Sequence, residues 1–187
     1  DLIGRTDLLK PRQTNLTKTK SLDLSCLLEK NSSRDNRTWL CHKNDAHSNG
    51  EILEDHLLND PSFMHAIKNH GRITQSMKIT NIDRSVCARV AGEIAEIHGN
   101  TGFKGQLDLT FNGAAGQSFG AFVLQGMNIR LIGEANDYVG KGINGGRITL
   151  LPPANGNQAG DQVILGNTCL YGATGGELFA LGKAGER

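Results

Sequence analysis

Two stretches of the chain superimpose. Gly142-Ile-Asn-Gly145-Gly146-Arg-Ile148-Thr-Leu150 lies over Gly172-Ala-Thr-Gly175-Gly176-Glu-Leu178-Phe-Ala180 at an offset of 30 residues. A weaker copy lies upstream, where Gly116, Gly120, Phe122 and Leu124 match Gly142, Gly146, Ile148 and Leu150 at an offset of 26. Each unit reads as tight glycine turns followed by a short strand with inward-pointing apolar residues. Repeats of roughly 20–50 residues build stacked units, none of which can bury its own core alone.

Glycine decides which kind of stack. Of 24 glycines, three fall in residues 1–91 and 21 in residues 92–187. Each would cost about 1 kcal/mol inside a helix, which excludes a helical repeat. Strand corners need positive φ or close backbone approach, and Gly and Asn supply both. The Leu-x-x-Leu-x-Leu spacing of leucine-rich repeats is missing. No six-residue apolar period supports a left-handed hexapeptide helix. The expectation is a mainly β fold, a right-handed parallel β-helix, preceded by an irregular lead-in with short helices.

The glycine shift places the division at residue 79, with a connector over 1–78 and the β-helix over 79–187. Residues 10–50 are polar and irregular and read as an extended connector. Residues 51–58 carry apolar positions at 52, 53, 57 and 58 and predict a helix. Asp60-Pro61 opens a second helix through Asn69, which Gly71 stops. Residues 73–82 predict a strand. Asp83 then caps a helix from Arg84 to about His98, ended by Gly99-Asn100. Leu107, Leu109 and Phe111 alternate as a strand. Ser118–Leu124, Met127–Ile132, Arg147–Leu151, Gln162–Leu165 and Glu177–Leu181 are further expected strands.

Composition narrows function by exclusion. Lys+Arg number 20 against 19 Asp+Glu, a net charge of +1, which argues against a nucleic-acid or membrane-surface partner. No apolar run approaches the roughly 20 residues of a membrane span. Six Phe, two Tyr and one Trp are too few for a single-strand stacking platform. Cys26, Cys41, Cys87 and Cys169 form no CxxC pair, so they read as idle thiols in a reducing compartment. The chain begins at Asp1 without a signal-peptide pattern and stops at Gly185-Glu186-Arg187 within a glycine-rich pattern. Both ends read as those of a piece of a longer polypeptide, truncated at its C-terminus.

Candidate chemistry is sparse. Lys141 between Gly140 and Gly142 lacks the P-loop spacing, with Ile143 in the Ser/Thr place, and reads as a turn lysine. Gly99-Asn-Thr-Gly102-Phe-Lys-Gly105 follows a helix instead of opening one, so it reads as turns. His42, His47, His56, His65, His70 and His98 contain neither HxH nor HExxH. Asp83-Arg84 at the helix start, and Glu134 and Asp137 beside a glycine turn, are the acids near ordered turns. A glycosidase uses two such acids, but turn and cap roles fit them better. Asn15, Asn31 and Asn36 head glycosylation sequons with no secretory signal to give them meaning. No catalytic, cofactor-binding or metal-binding residue is assigned.

Longer motifs carry a resemblance. Gly133-Glu-Ala-Asn-Asp-Tyr-Val-Gly-Lys-Gly-Ile-Asn-Gly-Gly146, then Gly166-Asn-Thr-Cys-Leu-Tyr-Gly-Ala-Thr-Gly-Gly176 and Ala184-Gly-Glu-Arg187, resemble the C-terminal GXGXG β-helix domain of the glutamate synthase family. Asn81-Ile-Asp-Arg-Ser-Val-Cys-Ala-Arg89 and Gly116-Gln-Ser-Phe-Gly-Ala-Phe122 are similar to the opening of that domain. Ile3-Gly-Arg-Thr-Asp-Leu-Leu9 resembles the exit of the preceding flavin-binding domain. Leu16-Thr-Lys-Thr-Lys-Ser-Leu-Asp-Leu24 is closer to the ferredoxin-dependent type than to the NADPH-dependent one. Cys87 stands where glycine is common, and Arg147 where glutamate is common.

The resemblance implies an enzyme that makes L-glutamate from L-glutamine and 2-oxoglutarate with reduced ferredoxin, FMN and a 3Fe–4S cluster. It places the catalytic cysteine, flavin contacts and cluster ligands upstream of Asp1, so this segment itself binds no cofactor. The segment's implied partners are the amidotransferase and flavin domains of the same chain, which the β-helix holds in register. The implied setting is a soluble protein of the bacterial cytoplasm or plastid stroma. The β-helix subunit of formylmethanofuran dehydrogenase shares the glycine pattern, and Ile3–Leu9 argues against it. A free-standing β-helix, as a carbohydrate-binding or lyase module or a scaffold, is the other alternative.

Overall fold

The computed structural model describes residues 50–153 and 160–186 and, ahead of them, 8–10, 12, 14, 15, 17, 23 and 25–28. The chain divides into two compact units, Asp1–Ser48 and Asn49–Arg187. In the first unit, helix α1 (Ser25–Leu28) starts where the Ser25 amide donates to Asp23 Oδ1 at 2.9 Å. Most of the expected extended connector, including Cys41, His42 and His47, lies outside the described residues.

The second unit opens with helices α2 (Leu53–Leu58) and α3 (Pro61–Lys68). Asp60 caps α3 as the sequence predicts: its Oδ1 accepts the Ser62 amide at 2.8 Å, with Pro61 in the first turn. Phe63 and Ile67 form the buried stripe of α3. Then follow β1 (Arg72–Ile79), α4 (Ala88–Gly102), β2 (Gln106–Ala115), β3 (Met127–Ala135), β4 (Asn144–Leu151), β5 (Val163–Leu165), β6 (Gly175–Ala180) and β7 (Lys183–Ala184). The expected division at 78/79 falls at the end of β1, inside this unit.

The unit is mainly β, with few short helices. All described strand pairs are parallel, in the order β1-β2-β3-β4-β6, with β5 beside β3 and β7 beside β5. Parallel neighbours need a crossover, usually a helix of a dozen or more residues. Here α4 crosses from β1 to β2. The next two crossovers, residues 116–126 and 136–143, are made of turns.

Register stacks like on like. Leu109, Ile129, Ile148 and Leu178 form one inward column. Phe111, Leu131, Leu150 and Ala180 form another. The offset of 30 between the last two repeats is the observed pairing of Ile148 with Leu178. The offset of 26 upstream is overturned: Ile129 pairs with Ile148, an offset of 19, and the turn of Gly120 lies against that of Gly140, an offset of 20. The matched glycines were of different kinds. Gly120 sits in a turn, whereas Gly146 lies within β4.

Two other differences come from left-handed backbone at residues other than glycine. Residues 117–122 form turns and not a strand, because Ser118, Gly120 and Phe122 take φ of 61°, 68° and 59°. The helix expected from Arg84 begins at Ala88, because Ser85 and Cys87 take φ of 53° and 80°. Asp83 instead accepts the Thr80 amide and hydroxyl at 2.8 and 2.9 Å. Within α4 the helical backbone breaks at Gly99, φ 72° and ψ −180°, where the sequence predicts its end, and a short further turn of helix runs on to Gly102. β1 ends at Ile79, short of Ile82, which is 81% exposed.

The core lies between the strand wall and the turns facing it. Phe111 on β2 meets Phe119 in a turn edge-to-face, with ring centroids 5.5 Å apart and both rings buried. Each such side chain contributes about 1.5–3 kcal/mol of hydrophobic stabilisation. The opposite strand face is polar: Asp108 accepts from Gln106 and Asn128, both at 2.8 Å. Arg147 faces solvent and pairs with Glu177 at 2.7 Å.

Close backbone approach sets the tolerance of glycines. Gly133 has φ +148°, and a Cβ there would run into the Gly113 carbonyl. Gly92 lies exposed in α4 with open space around its Cα. Gly133→Val should therefore lower unfolding free energy by about 3 kcal/mol or more. Gly92→Ala should raise it by about 0.5–1 kcal/mol. Urea unfolding of the two variants checks the pair, and equal effects would overturn the assignment.

Candidate functional site

Four turns share one backbone pattern, in which alternate residues are left-handed. They are Ser85 and Cys87; Ser118, Gly120 and Phe122; Tyr138, Gly140 and Gly142; and Thr168, Leu170 and Gly172. Their amides point alternately to the following and the preceding turn. Ser85, Ser118 and Tyr138 donate forward to the carbonyls of Gln117, Asp137 and Asn167 at 2.8–2.9 Å. Phe122 and Gly142 donate forward to Lys141 and Tyr171, both at 2.8 Å. Gly120, Gly140 and Leu170 donate backward to Val86, Phe119 and Val139 at 2.8–2.9 Å.

The side chains between the first two left-handed residues of each turn face inward. Val86, Phe119 and Val139 are buried and form a column, with Cys169 partly buried at the next level. Two of the turn glycines have little room: a Cβ on Gly120, a middle residue, would meet Ile148 Cδ1 at 2.5 Å, and one on Gly142, a last residue, would meet the Phe122 ring at 2.7 Å.

Expected site residues fall into structural roles or remain apart. Lys141 is a turn residue, with its ammonium 6.0 Å from the Tyr138 ring centroid. Glu134 and Asp137 line a shared groove of about 410 Å³ with Gln117, Val163 and Leu165. Asp137 is committed to a turn, since its Oδ1 accepts the Asn167 amide at 2.7 Å. His70 and His98 stack at 4.2 Å. Each is tied to backbone, His98 to the Ile67 carbonyl at 2.8 Å and His70 Nδ1 to the Lys104 amide at 3.2 Å. Among the described residues, no group of three or more His, Cys, Asp or Glu is placed to hold a metal ion.

Two thiols, those of Cys87 and Cys169, are kept protonated by their surroundings. Burial, with Glu54 nearby, pushes the Cys87 thiol well above its usual range. Burial also raises Cys169. A thiol is nucleophilic as its thiolate, so neither is activated.

The residue that sequence reasoning missed is Glu54. It is 4% exposed, and its Oε1 accepts the Val90 amide at 3.1 Å, joining α2 to the start of α4. Burial raises its pKa, opposed by hydrogen bonds from the Val90, Arg89 and Cys87 amides. Its neighbour Asp55 is held low by the Arg89 guanidinium. A signal was present: Glu54 precedes Leu57 and Leu58 by three and four positions, so it sits on the apolar face of its helix.

Alternation of left-handed residues is the backbone basis of a glycine at every second position. A family model described as "GXGXG motif" matches residues 54–187. The chain belongs to the GXGXG motif family. It is 53% identical over 188 residues to "Ferredoxin-dependent glutamate synthase, chloroplastic" of Spinacia oleracea. It is 56% identical over 188 residues to "Ferredoxin-dependent glutamate synthase 2, chloroplastic" of Arabidopsis thaliana. It is 53% identical over 189 residues to "Ferredoxin-dependent glutamate synthase 2" of Synechocystis sp.. Each match covers the whole chain, which spans 12% of the relative's length. Within the GXGXG motif, Cys87 holds a middle position, consistent with its standing where glycine is common.

Glu54 gives a pH dependence of defined sign. Its folded pKa is raised, so its favourable contribution is complete below the unfolded value of 4.5 and is lost as pH rises through the folded value. Glu54→Gln removes that loss. Its stability relative to the parent chain should rise as pH climbs above 4.5 and level off once the folded group has ionised. Urea unfolding across that range is the check, and a pH-independent difference would refute the assignment.

Proposed function

We propose that this chain is a segment of a ferredoxin-dependent glutamate synthase, the enzyme that forms L-glutamate from L-glutamine and 2-oxoglutarate using reduced ferredoxin. The observation that carries this reading is the identity of 53–56% along the whole chain to relatives bearing that name. In this reading the enzyme works in the plastid stroma or the bacterial cytoplasm, in keeping with the chloroplastic and cyanobacterial relatives. Among the described residues, no helix is long and apolar enough to cross a membrane.

Within that enzyme the segment is a right-handed parallel β-helix that holds the amidotransferase and flavin domains in register. Residues 1–78 are the connector from the flavin-binding domain, and 79–187 are the β-helix domain, to which the connector lends β1. Parallel strands joined by stacked turns support the β-helix. The spacer role is supported by the chemistry: Cys87 and Cys169 are protonated, Asp137 is committed to a turn, and most amides of the left-handed turns bond to neighbouring turns.

The full enzyme of this reading carries FMN and a 3Fe–4S cluster, with ferredoxin as its electron donor. The described residues do not fit either group. A cluster needs thiolates placed together, whereas Cys87 is buried and protonated and no suitable set of ligands is present among them. A flavin phosphate needs free amides, and most amides of the left-handed turns donate to neighbouring turns. Both groups, and every catalytic residue, belong to other parts of the enzyme.

The test uses the native full-length protein, captured with an antibody against this segment. A very large subunit with flavin and iron–sulfur absorbance, forming glutamate with reduced ferredoxin, is expected. A small, colourless subunit would overturn the enzyme reading. The spacer role is tested by Gly133→Val in the full-length enzyme. Glutamate formed per glutamine hydrolysed should fall about tenfold while the visible spectrum stays unchanged. Unaltered coupling in a variant whose β-helix is destabilised would overturn that role.

A further inference from the structure

The turn wall carries aromatic rings that the fold does not bury. Phe122 and Tyr138 are 51% and 36% exposed, and both adopt left-handed backbone, φ 59° and 65°. The ends of the stack do not account for this exposure, because each ring belongs to an inner turn bonded to a turn on either side. Nor does the amide ladder require the rings. Phe122 holds the last turn position, where Gly142 and Gly172 serve elsewhere, and Gly142 donates forward at the same 2.8 Å. Tyr138 holds the first position, where Ser85, Ser118 and Thr168 serve elsewhere. A bulky residue at positive φ is strained, and such strain concentrates at functional contacts.

The rings form one patch. The Tyr138 ring meets that of Tyr171, which is 62% exposed, edge-to-face with centroids 6.3 Å apart. The Phe122 ring lies over Gly142, whose amide donates to the Tyr171 carbonyl at 2.8 Å. The Lys141 ammonium stands 6.0 Å from the Tyr138 centroid. Among the described residues, no carboxylate forms an ion pair with Lys141. Exposed aromatic rings beside an unpaired cation have the make-up of an interface, with an apolar centre and a polar rim.

We propose that this patch is a docking surface for another domain of the same polypeptide, which lays apolar side chains on Phe122, Tyr138 and Tyr171 and a carboxylate on Lys141. Two observations fix the occupant. The chain spans 12% of its relatives' length, so most of a polypeptide of that kind lies outside it. The unpaired ammonium calls for a negative partner. The proposal rests on the reading of this chain as a segment of a larger enzyme, and it names the face by which the β-helix holds a neighbouring domain.

Hydroxyl-radical footprinting and zero-length carbodiimide coupling of the native full-length protein test it. Rings left as exposed as they are on this segment should oxidise at about a third to a half of their rate in the urea-unfolded protein. Docked rings at Phe122 and Tyr138 should oxidise at about a tenth of that rate or less. Carbodiimide should join Lys141 to an Asp or Glu of the same subunit outside these 187 residues. Lys141→Glu sets like charges against each other, so it should abolish that product and raise oxidation at both rings by about threefold or more. Parent rings that oxidise as an uncovered patch would overturn the proposal, as would coupling of Lys141 to a second subunit. The subunit mass separates the two failures. A subunit no larger than this segment refutes the larger-enzyme reading, whereas a large subunit with uncovered rings refutes the docking alone.

Discussion

The amide ladder between successive turns is the interaction on which the rest of this structure depends. A strand edge satisfies its backbone groups by an ordinary parallel ladder. A turn normally leaves its groups to water. Here alternate left-handed residues aim successive amides forward and backward, so the two inner turns pair with both neighbours. That lets the turns form a second wall, and the core fills the space between this wall and the strands. Without the ladder, Phe119 and Val139 would be buried beside unsatisfied backbone, at about 1–3 kcal/mol per group.

The ladder also explains the unequal demands on side chains. A strand position needs an apolar residue of reasonable size, so Leu109, Ile129, Ile148 and Leu178 occupy one column interchangeably. A left-handed position bears a steric cost for every residue except glycine. Ser118, Phe122, Tyr138, Thr168 and Leu170 bear it nonetheless. The strain persists at Ser118, Phe122, Tyr138 and Leu170 because the amide of each is bonded to a neighbouring turn.

This inequality separates what could be read in the sequence from what could not. Alternating Leu107, Leu109 and Phe111, and the offset of 30 between the last two repeats, report strands, because apolar periodicity is a direct image of burial. Asp60-Pro61 reports a helix start by its capping chemistry. The turns at Ser85 and Ser118 were opaque: serine, cysteine and phenylalanine do not advertise left-handed backbone, and Ser118–Leu124 carries enough apolar residues to imitate a strand. The same blindness shifted the upstream copy, since glycine in a turn and glycine in a strand look alike. Glu54 was hidden differently. A carboxylate among helical leucines reads as solvent-facing until the amides that bury it are located.

Acceptor and donor must balance along any such column, and balance fails at an end. At the start of the column the buried Glu54 carboxylate accepts the Val90 amide at 3.1 Å, where the positive end of α4 favours negative charge. That contact ties α2 to α4, and α2 packs against α3, which packs against β1. The first strand is thus positioned from the same helix end at which the column of turns begins.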